Sequence, residues 1–239
     1  MVFGSDRGNI PVSVHRMPLD GSVPPERLVT RDVETIPSSW SSTGVIAYVE
    51  DQRDIWMLPP GGEPVPFLTT DALETHPSFS PDGQWVAYMS NATGRQEVYV
   101  RPYPGPGAAL QISGNGGTEP AWSPDGRRLY YRSPGATSGT RLLKFVDITI
   151  DTDKVPSPMQ AGREAVLIEP WPYVGTTPTR SFDVAPDGSF IAIKRGNSDA
   201  ANPGESSVAM SRRLYAVPEL QIVLNFAEEL RVRQAAVAQ

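Results

Sequence analysis

The sequence predicts an all-β protein, a β-propeller built from four-stranded antiparallel blades, with about five blades in this chain. The first observation behind this prediction is a recurring turn motif. Ser-Pro-Asp-Gly at 80–83 returns at 123–126, with weaker copies at 41–44 and 185–188. The second is the spacing of the first three copies, which follow one another at about 40 residues, the length of a propeller blade.

The turn motif has a conformational explanation. Proline presets φ for the first central position of a type I turn, and aspartate tolerates the position that follows. Glycine then takes a left-handed conformation. We therefore expect Gly83→Val and Gly126→Val each to cost about 1–3 kcal/mol, and Gly139→Val, in a longer loop, to cost little. The leading serine is expected to bond the backbone two residues on. Strand-like runs of β-branched and aromatic residues follow the four turns, at 45–48, 85–88, 129–131 and 190–193.

A third strand, a fourth strand and a link that ends in proline complete each unit. We therefore expect a single domain over 1–239, with blades at about 1–33, 34–72, 73–116, 117–170 and 179–226. The extra length of the fourth unit is expected in loops at 133–140 and 151–163, which are polar and rich in Pro and Gly.

The two ends of the chain are less regular. The first blade lacks its inner strand and the last lacks its outer one, so we predict an incomplete ring with an unpaired strand edge near Val2–Phe3, open to self-association. A short C-terminal helix is predicted over 226–237, because Asn225 can cap it while Phe226 and Leu230 share one face.

Composition excludes several classes of protein. The net charge of −6 disfavours nucleic acid as a partner, and the absence of cysteine excludes disulfides and thiolate chemistry. The sequence contains no run of 18 apolar residues, so it predicts no membrane span, and the N-terminus does not resemble a signal peptide. The compartment is left open.

Few residues suggest catalysis. The two histidines, His15 and His76, are too few for a zinc site, and we expect packing roles for both. The nucleophile motif Gly-x-Ser-x-Gly and βαβ alternation are both missing, which argues against a hydrolase domain. The recurring aspartates, Asp82, Asp125 and Asp187, belong to the turn. We therefore predict that the chain is not an enzyme and has no catalytic residue, cofactor or metal.

Aromatic residues recur at one position in each unit. This position precedes the turn, so Trp40, Phe79 and Trp122 are expected in the core between blades. Three aromatic residues outside the repeat are expected to be freer for surface contacts: Trp56, Trp171 and Tyr173.

The strongest candidates for binding residues are the glutamates of the links, Glu34, Glu74 and Glu119. The first two stand three residues before a proline, and Glu119 stands directly before one. In a propeller these links line one end of the central channel. The three carboxylates are therefore predicted to form an acidic rim for a cationic or basic-peptide partner, steered by their field. Ordinary solvated loop charge is the alternative.

These blades resemble the TolB-like (WD40-like) propeller repeat family. The resemblance rests on Phe79-Ser-Pro-Asp-Gly83 with Val86-Ala-Tyr88, and on Trp122-Ser-Pro-Asp-Gly126; it covers nearly the whole chain. The ending at 221–230 is similar to that of TolB-like propellers associated with bacterial serine/threonine kinases. The resemblance implies a periplasmic or other extracytoplasmic setting.

The sequence thus favours a non-catalytic binding or scaffold module, in which loops on a rigid propeller recognise a protein or peptide. Three alternatives stay open. The chain could be the sensor portion of a bacterial serine/threonine kinase, the gating propeller of a prolyl-oligopeptidase-type peptidase, or a binder of a small ligand such as a sugar.

Overall fold

The computed structural model describes residues 1–6, 11–151, 159–171 and 180–192, and every regular element in these ranges is a β-strand. The chain divides into two compact units: the first contains all strands up to Ile168 together with Arg180, and the second contains the last two strands. The predicted C-terminal helix lies outside the described residues. The prediction of a single domain over 1–239 stays a prediction.

Blade 1 has three strands, as the sequence predicts. They are β1 (Val2–Ser5), β2 (Ser13–Arg16) and β3 (Glu26–Arg27), paired in that order and antiparallel. Among the described strands, β1 pairs only with β2.

Blades 2 and 3 are complete four-stranded sheets in sequence order, with every pair antiparallel. Blade 2 comprises β4 (Thr35–Trp40), β5 (Ile46–Glu50), β6 (Asp54–Leu58) and β7 (Val65–Leu68). Blade 3 comprises β8 (Glu74–Phe79), β9 (Trp85–Ser90), β10 (Glu97–Pro102) and β11 (Leu110–Gln111).

Blade 4 uses its extra length to make an additional strand. It comprises β12 (Thr118–Trp122), β13 (Arg128–Pro134), β14 (Arg141–Ile150), β15 (Met159–Ala161) and β16 (Ala165–Ile168). The long β14 pairs with β15 near its C-terminal end and with β16 nearer its N-terminal end. The prediction of plain loops was therefore wrong at Ser133 and Pro134, which end β13, and at the residues of β15.

The second unit contains β17 (Phe182–Val184) and β18 (Phe190–Ala192), joined by the predicted turn. Gly188 at that turn has φ +83°, and its N–H donates to Ala185 O at 2.8 Å.

The recurring turn is confirmed, but its serine hydroxyl makes different hydrogen bonds from the one predicted. Gly83 has φ +72° and closes the turn with an N–H bond to Ser80 O. Ser80 Oγ donates to Asp82 Oδ1 at 2.5 Å and accepts the N–H of Trp85 at 3.0 Å, five residues on. Gly139 also has φ +82°, where valine is strained, so the expectation that Gly139→Val costs little was wrong.

The strands β5 and β9 pack both faces against neighbouring blades. In β9, Val86 and Tyr88 join an apolar cluster with blade 2, whereas Trp85 and Ala87 join one with blade 4. This two-sided burial explains the unbroken apolar runs, because a strand between two blades has no solvent face. All-antiparallel sheets stacked face to face in this way form a β-propeller.

Candidate functional site

The three glutamates of the predicted rim each have a partner. Glu34 is half-buried and accepts from Gln52 Nε2 at 2.9 Å. Glu74 is buried and accepts from Thr70 Oγ1 at 2.6 Å. Glu119 is buried and forms an ion pair with Arg132. Glu74 and Glu119 are therefore occupied inside the fold, and the idea that the three form one binding rim stays a prediction.

A polar network also joins the inner strands of blades 3 and 4. His76 and Glu119 occupy equivalent positions before a proline, and both have φ near +55° at a bulge of their strand. Both side chains are buried, and His76 Nδ1 lies 2.8 Å from Thr75 Oγ1. The sequence does not reveal this conformation, because a residue before proline normally favours the extended region.

Arg180 connects these two strands directly. Its Nη1 donates to Ser78 Oγ on β8 at 2.9 Å and to Pro120 O on β12 at 3.2 Å. Trp122 Nε1 donates to Ser78 O at 3.1 Å. This network ties blade 3 to blade 4, which gives it a structural role.

The most unusual acidic feature lies at the β5–β6 turn of blade 2. The β5–β6 loop has three residues, Asp51, Gln52 and Arg53, and the first two have φ +49° and +55°, although neither is glycine. Such positions cost about 1–3 kcal/mol each and persist where surrounding contacts hold them. Glu34 supplies those contacts: its main-chain O accepts the N–H of Asp51 at 2.8 Å, and its carboxylate accepts from Gln52.

Two more carboxylates flank this turn. Glu50 and Asp54 are cross-strand partners, and each has a buried oxygen, Oε1 and Oδ1 respectively, without a hydrogen-bond partner among the described residues. Burial raises the pKa of Glu50, although Arg31 opposes the rise. Burial also raises the pKa of Asp54. Hereafter Glu34, Glu50, Asp51 and Asp54 are called the acidic corner.

An aromatic pair adjoins the acidic corner. Tyr48 and Trp56 are the next cross-strand pair on the same face of blade 2. Tyr48 is fully buried, and burial together with the charge of Glu50 raises its pKa to about 12. Arg31, which follows blade 1, lies 4.8 Å above the Trp56 ring, and its Nε is 3.2 Å from Glu50 Oε1 without hydrogen-bond geometry.

Several buried polar atoms in this corner lack hydrogen-bond partners among the described residues. An unsatisfied buried group costs about 1–3 kcal/mol, and ordered water usually satisfies such groups in proteins. Besides the two carboxylate oxygens, these atoms are Thr35 Oγ1 and Trp56 Nε1.

The aromatic predictions are corrected in part. Phe79 and Trp122 are buried as predicted, but Trp40 is 50% exposed. Phe79 is covered by the Tyr103 ring, at 5.1 Å between centroids, whereas Trp40 borders an open groove of about 310 Å3. Trp171, expected to be free for surface contacts, is buried. Trp56 is half-buried, and Tyr173 lies outside the described residues.

At the end of the blades that carries the Ser-Pro-Asp-Gly turns, blades 3 and 4 border a second groove, of about 580 Å3. Trp85, Trp122 and Ile148 form its apolar part. Asp82 and Asp125 also border it, but the Oδ1 atom of each already accepts a hydrogen bond from the serine of its own turn. This second groove therefore has fewer unsatisfied polar atoms than the acidic corner.

Comparison with solved structures supports the fold. The chain matches a protein assigned as TolB from Agrobacterium tumefaciens at 18% identity and TM-score 0.62, over 78% of this chain and 66% of that one. It matches TolB from Acinetobacter baumannii at 16% identity and TM-score 0.58, over 82% of this chain and 47% of that one. The fold is that of a TolB-like β-propeller. The chain thus spans less than two thirds of either TolB chain.

No protein-family model matches the sequence, and no curated protein matches it either. The link to kinase-associated propellers stays a prediction. A structure of a nidogen/laminin complex also matches, at 11% identity and TM-score 0.55, over 81% of this chain and 69% of that one. That likeness is compatible with a protein-binding module.

The prediction that the chain is not an enzyme is corrected by two further matches. A gluconolactonase from Xanthomonas campestris matches at 14% identity and TM-score 0.54, over 81% of this chain and 66% of that one. A Mycobacterium tuberculosis puromycin-hydrolyzing peptidase matches at 12% identity and TM-score 0.52, over 81% of this chain and 42% of that one. The prediction inferred too much from missing hydrolase motifs, because enzymes also contain this fold.

The described residues offer neither a metal-binding group nor a membrane-spanning helix. Their His, Cys, Asp and Glu side chains form no group of three suited to a metal ion. Within the same ranges, no helix has the length and apolar character of a membrane span.

Proposed function

We propose that this TolB-like propeller is a recognition module for a protein or peptide partner that presents basic side chains. The observation that carries the proposal is the acidic corner of blade 2. It gathers four carboxylates around a strained turn, and two of them have buried oxygens without hydrogen-bond partners among the described residues.

The charge of the corner favours such a partner. Arg31 and Arg53 are the cations coupled to its carboxylates, so four acidic groups outnumber two basic ones. An excess of one sign around partly buried groups attracts an oppositely charged partner and speeds its association. The turn is also held rigidly by Glu34, which reduces the entropy lost on binding.

The test is binding of a labelled polylysine-type peptide as a function of salt. The double variant Glu50→Gln with Asp54→Asn is expected to bind more weakly and with a smaller salt dependence. The matched control neutralises Glu63 and Asp147, which are exposed and lie outside the corner. Equal binding by the wild type, the site variant and the control would contradict the proposal.

A second candidate is the propeller portion of a peptidase. The likeness to the puromycin-hydrolyzing peptidase supports it, since this chain spans 42% of that protein. A hydrolase domain encoded next to this chain would favour the candidate. A kinase domain and a membrane span encoded upstream would instead favour the alternative that this chain is the sensor portion of a serine/threonine kinase.

A further inference from the structure

The aromatic residue that ends the inner strand is covered in blade 3 and open in blade 2. In blade 3, Phe79 is buried and the ring of Tyr103 lies edge-on to it, at 5.1 Å between centroids. In the strand register of blade 2, Trp40 corresponds to Phe79 and Pro60 corresponds to Tyr103. The pyrrolidine ring of Pro60 is smaller than a phenol ring, and Trp40 stays 50% exposed.

Trp40 borders the groove of about 310 Å3 that blades 1 and 2 form together. Leu28 and Leu58 contribute to its apolar lining, and so do two consecutive prolines, Pro59 and Pro60. Of the aromatic residues in the ranges that the structure describes, only Trp40 is exposed. An exposed aromatic ring in a concave apolar surface is typical of a site that binds an apolar group.

The charged residues that border this groove are Arg16, Glu26 and Arg27, two cations and one carboxylate. Arg16 pairs with Glu26, but both side chains are more than half exposed, so water weakens the pair. Arg27 is half-buried and donates to the main-chain oxygens of Val29 and Arg31. It has no carboxylate within ion-pair distance among the described residues. A carboxylate of a partner would therefore complement the charge of this groove.

Proline rings suit the apolar part of the groove. A proline-rich segment already adopts the extended polyproline II conformation before it binds, so it loses little conformational entropy on docking. Grooves lined by aromatic side chains recognise such segments, and the exposed ring of Trp40 offers this kind of surface. A flexible aliphatic side chain would lose more rotamer freedom in the same place.

We propose that the groove between blades 1 and 2 binds a proline-rich segment of a partner protein, with an acidic residue next to the prolines. The proline rings cover Trp40, as Tyr103 covers Phe79 in blade 3, and the acidic side chain pairs with Arg16 and Arg27. This inference goes beyond the proposed function. The groove and the acidic corner lie at opposite ends of β5 and attract groups of opposite charge.

The test is an NMR titration of the full chain, read at the indole N–H of Trp40, which is assigned from the Trp40→Phe spectrum. Three acetylated peptide amides serve as probes: Ala-Pro-Pro-Pro-Glu-Ala, Ala-Ala-Ala-Ala-Glu-Ala and Ala-Pro-Pro-Pro-Gln-Ala. The second lacks the proline rings and the third lacks the charge. We expect the first to shift the Trp40 signal and the other two to bind more weakly, the alanine peptide by on the order of tenfold. A Trp40 signal that the first peptide leaves unchanged, or equal affinities for the proline and alanine peptides, would overturn the proposal.

Variants with matched controls, compared by isothermal titration calorimetry, separate the two parts of the groove. Trp40→Ala should weaken binding of the proline–glutamate peptide, whereas Val166→Ala, at another 50% exposed apolar side chain, should not. Arg16→Gln should weaken binding of the glutamate peptide but not of its glutamine counterpart. Arg128→Gln is the control for charge, because Arg128 forms a similarly exposed pair with Asp147 outside the groove. Unchanged affinity in both Trp40→Ala and Arg16→Gln would contradict the assignment of this groove.

Discussion

Pro81 of blade 3 packs against Gly126 of blade 4, so that a Cβ built on Gly126 would lie 3.6 Å from Pro81 Cδ. Gly83 of blade 3 likewise lies against blade 2, where a Cβ added to Gly83 would lie 3.3 Å from Ser42 Oγ. A Cβ would make an ordinary contact at Gly126 and a slightly tight one at Gly83, so the left-handed backbone is the main reason for glycine at these turns.

We expect Gly126→Ala to destabilise the protein by about 1–2 kcal/mol, because Gly126 has φ +70° and alanine is strained there. Urea denaturation measures this loss. Gly114→Ala is the control, since a Cβ there would meet only Glu164 Oε1 at 4.0 Å and the backbone is unstrained. It should change stability little. Equal losses at the two sites would contradict the explanation.

The serine of the turn should control the acidity of its aspartate. The hydroxyl of Ser123 donates to Asp125 Oδ1 at 2.6 Å and is the main cause that lowers the Asp125 pKa. Ser123→Ala should therefore raise that pKa toward its ordinary value, which carbonyl NMR titration can follow. Asp187, whose turn begins with Ala185 and whose donor is Ser189, is the internal control. An unchanged Asp125 pKa would refute this role.

Asp54→Asn should increase stability at neutral pH. Burial raises the pKa of Asp54 above its ordinary value of 3.8, so the folded state holds the proton more tightly than the unfolded state. The contribution of this carboxyl to stability is then fully present below pH 3.8 and is lost as the pH rises through the folded-state pKa. Asparagine stays neutral and avoids that loss.

The gain from Asp54→Asn should therefore shrink as the pH falls toward 3.8, which denaturation curves at several pH values would show. Asp147→Asn provides the comparison, because Asp147 is 64% exposed and paired with Arg128. A stability gain that does not depend on pH would show that desolvation of Asp54 is not its cause.

Glu119→Gln should destabilise the protein by about 3–5 kcal/mol, because it leaves the buried Arg132 guanidinium without its counter-charge. Replacing both residues with leucine should recover a large part of the loss, since no uncompensated charge then remains. The exposed Arg128–Asp147 pair is the contrast, where Asp147→Asn should cost less than about 1 kcal/mol. Similar losses at the two pairs would mean that burial does not set the cost.

Much of the fold could be predicted because its signals are local and repeated. The conformation of a Ser-Pro-Asp-Gly turn depends on four neighbouring residues, and the strands after it follow from their own composition. Positive φ at Gly44, Gly83, Gly126 and Gly188 was accordingly predictable. The extra pairing of β14 was not, because hydrogen bonds between strands depend on segments that are distant in sequence.

The candidate site was predicted only in its general character. Acidic links pointed to a negatively charged end of the propeller, and Glu34 does lie in the acidic corner. Glu50 and Asp54 were missed, since each reads as an ordinary hairpin residue. An available signal was the three-residue loop Asp51-Gln52-Arg53, which joins two paired strands without a glycine.

Residue order along the chain therefore determined the blades, their turns and their two-sided apolar strands, because local geometry and the period of the repeat suffice for these. Tertiary packing decided which acidic groups became structural. Glu97 and Asp54 occupy matching strand positions, yet only Glu97 meets Ser113, Gly116 and Arg95. The donors around a carboxylate come from distant parts of the chain, so its desolvation and its freedom to bind are properties of the assembled fold.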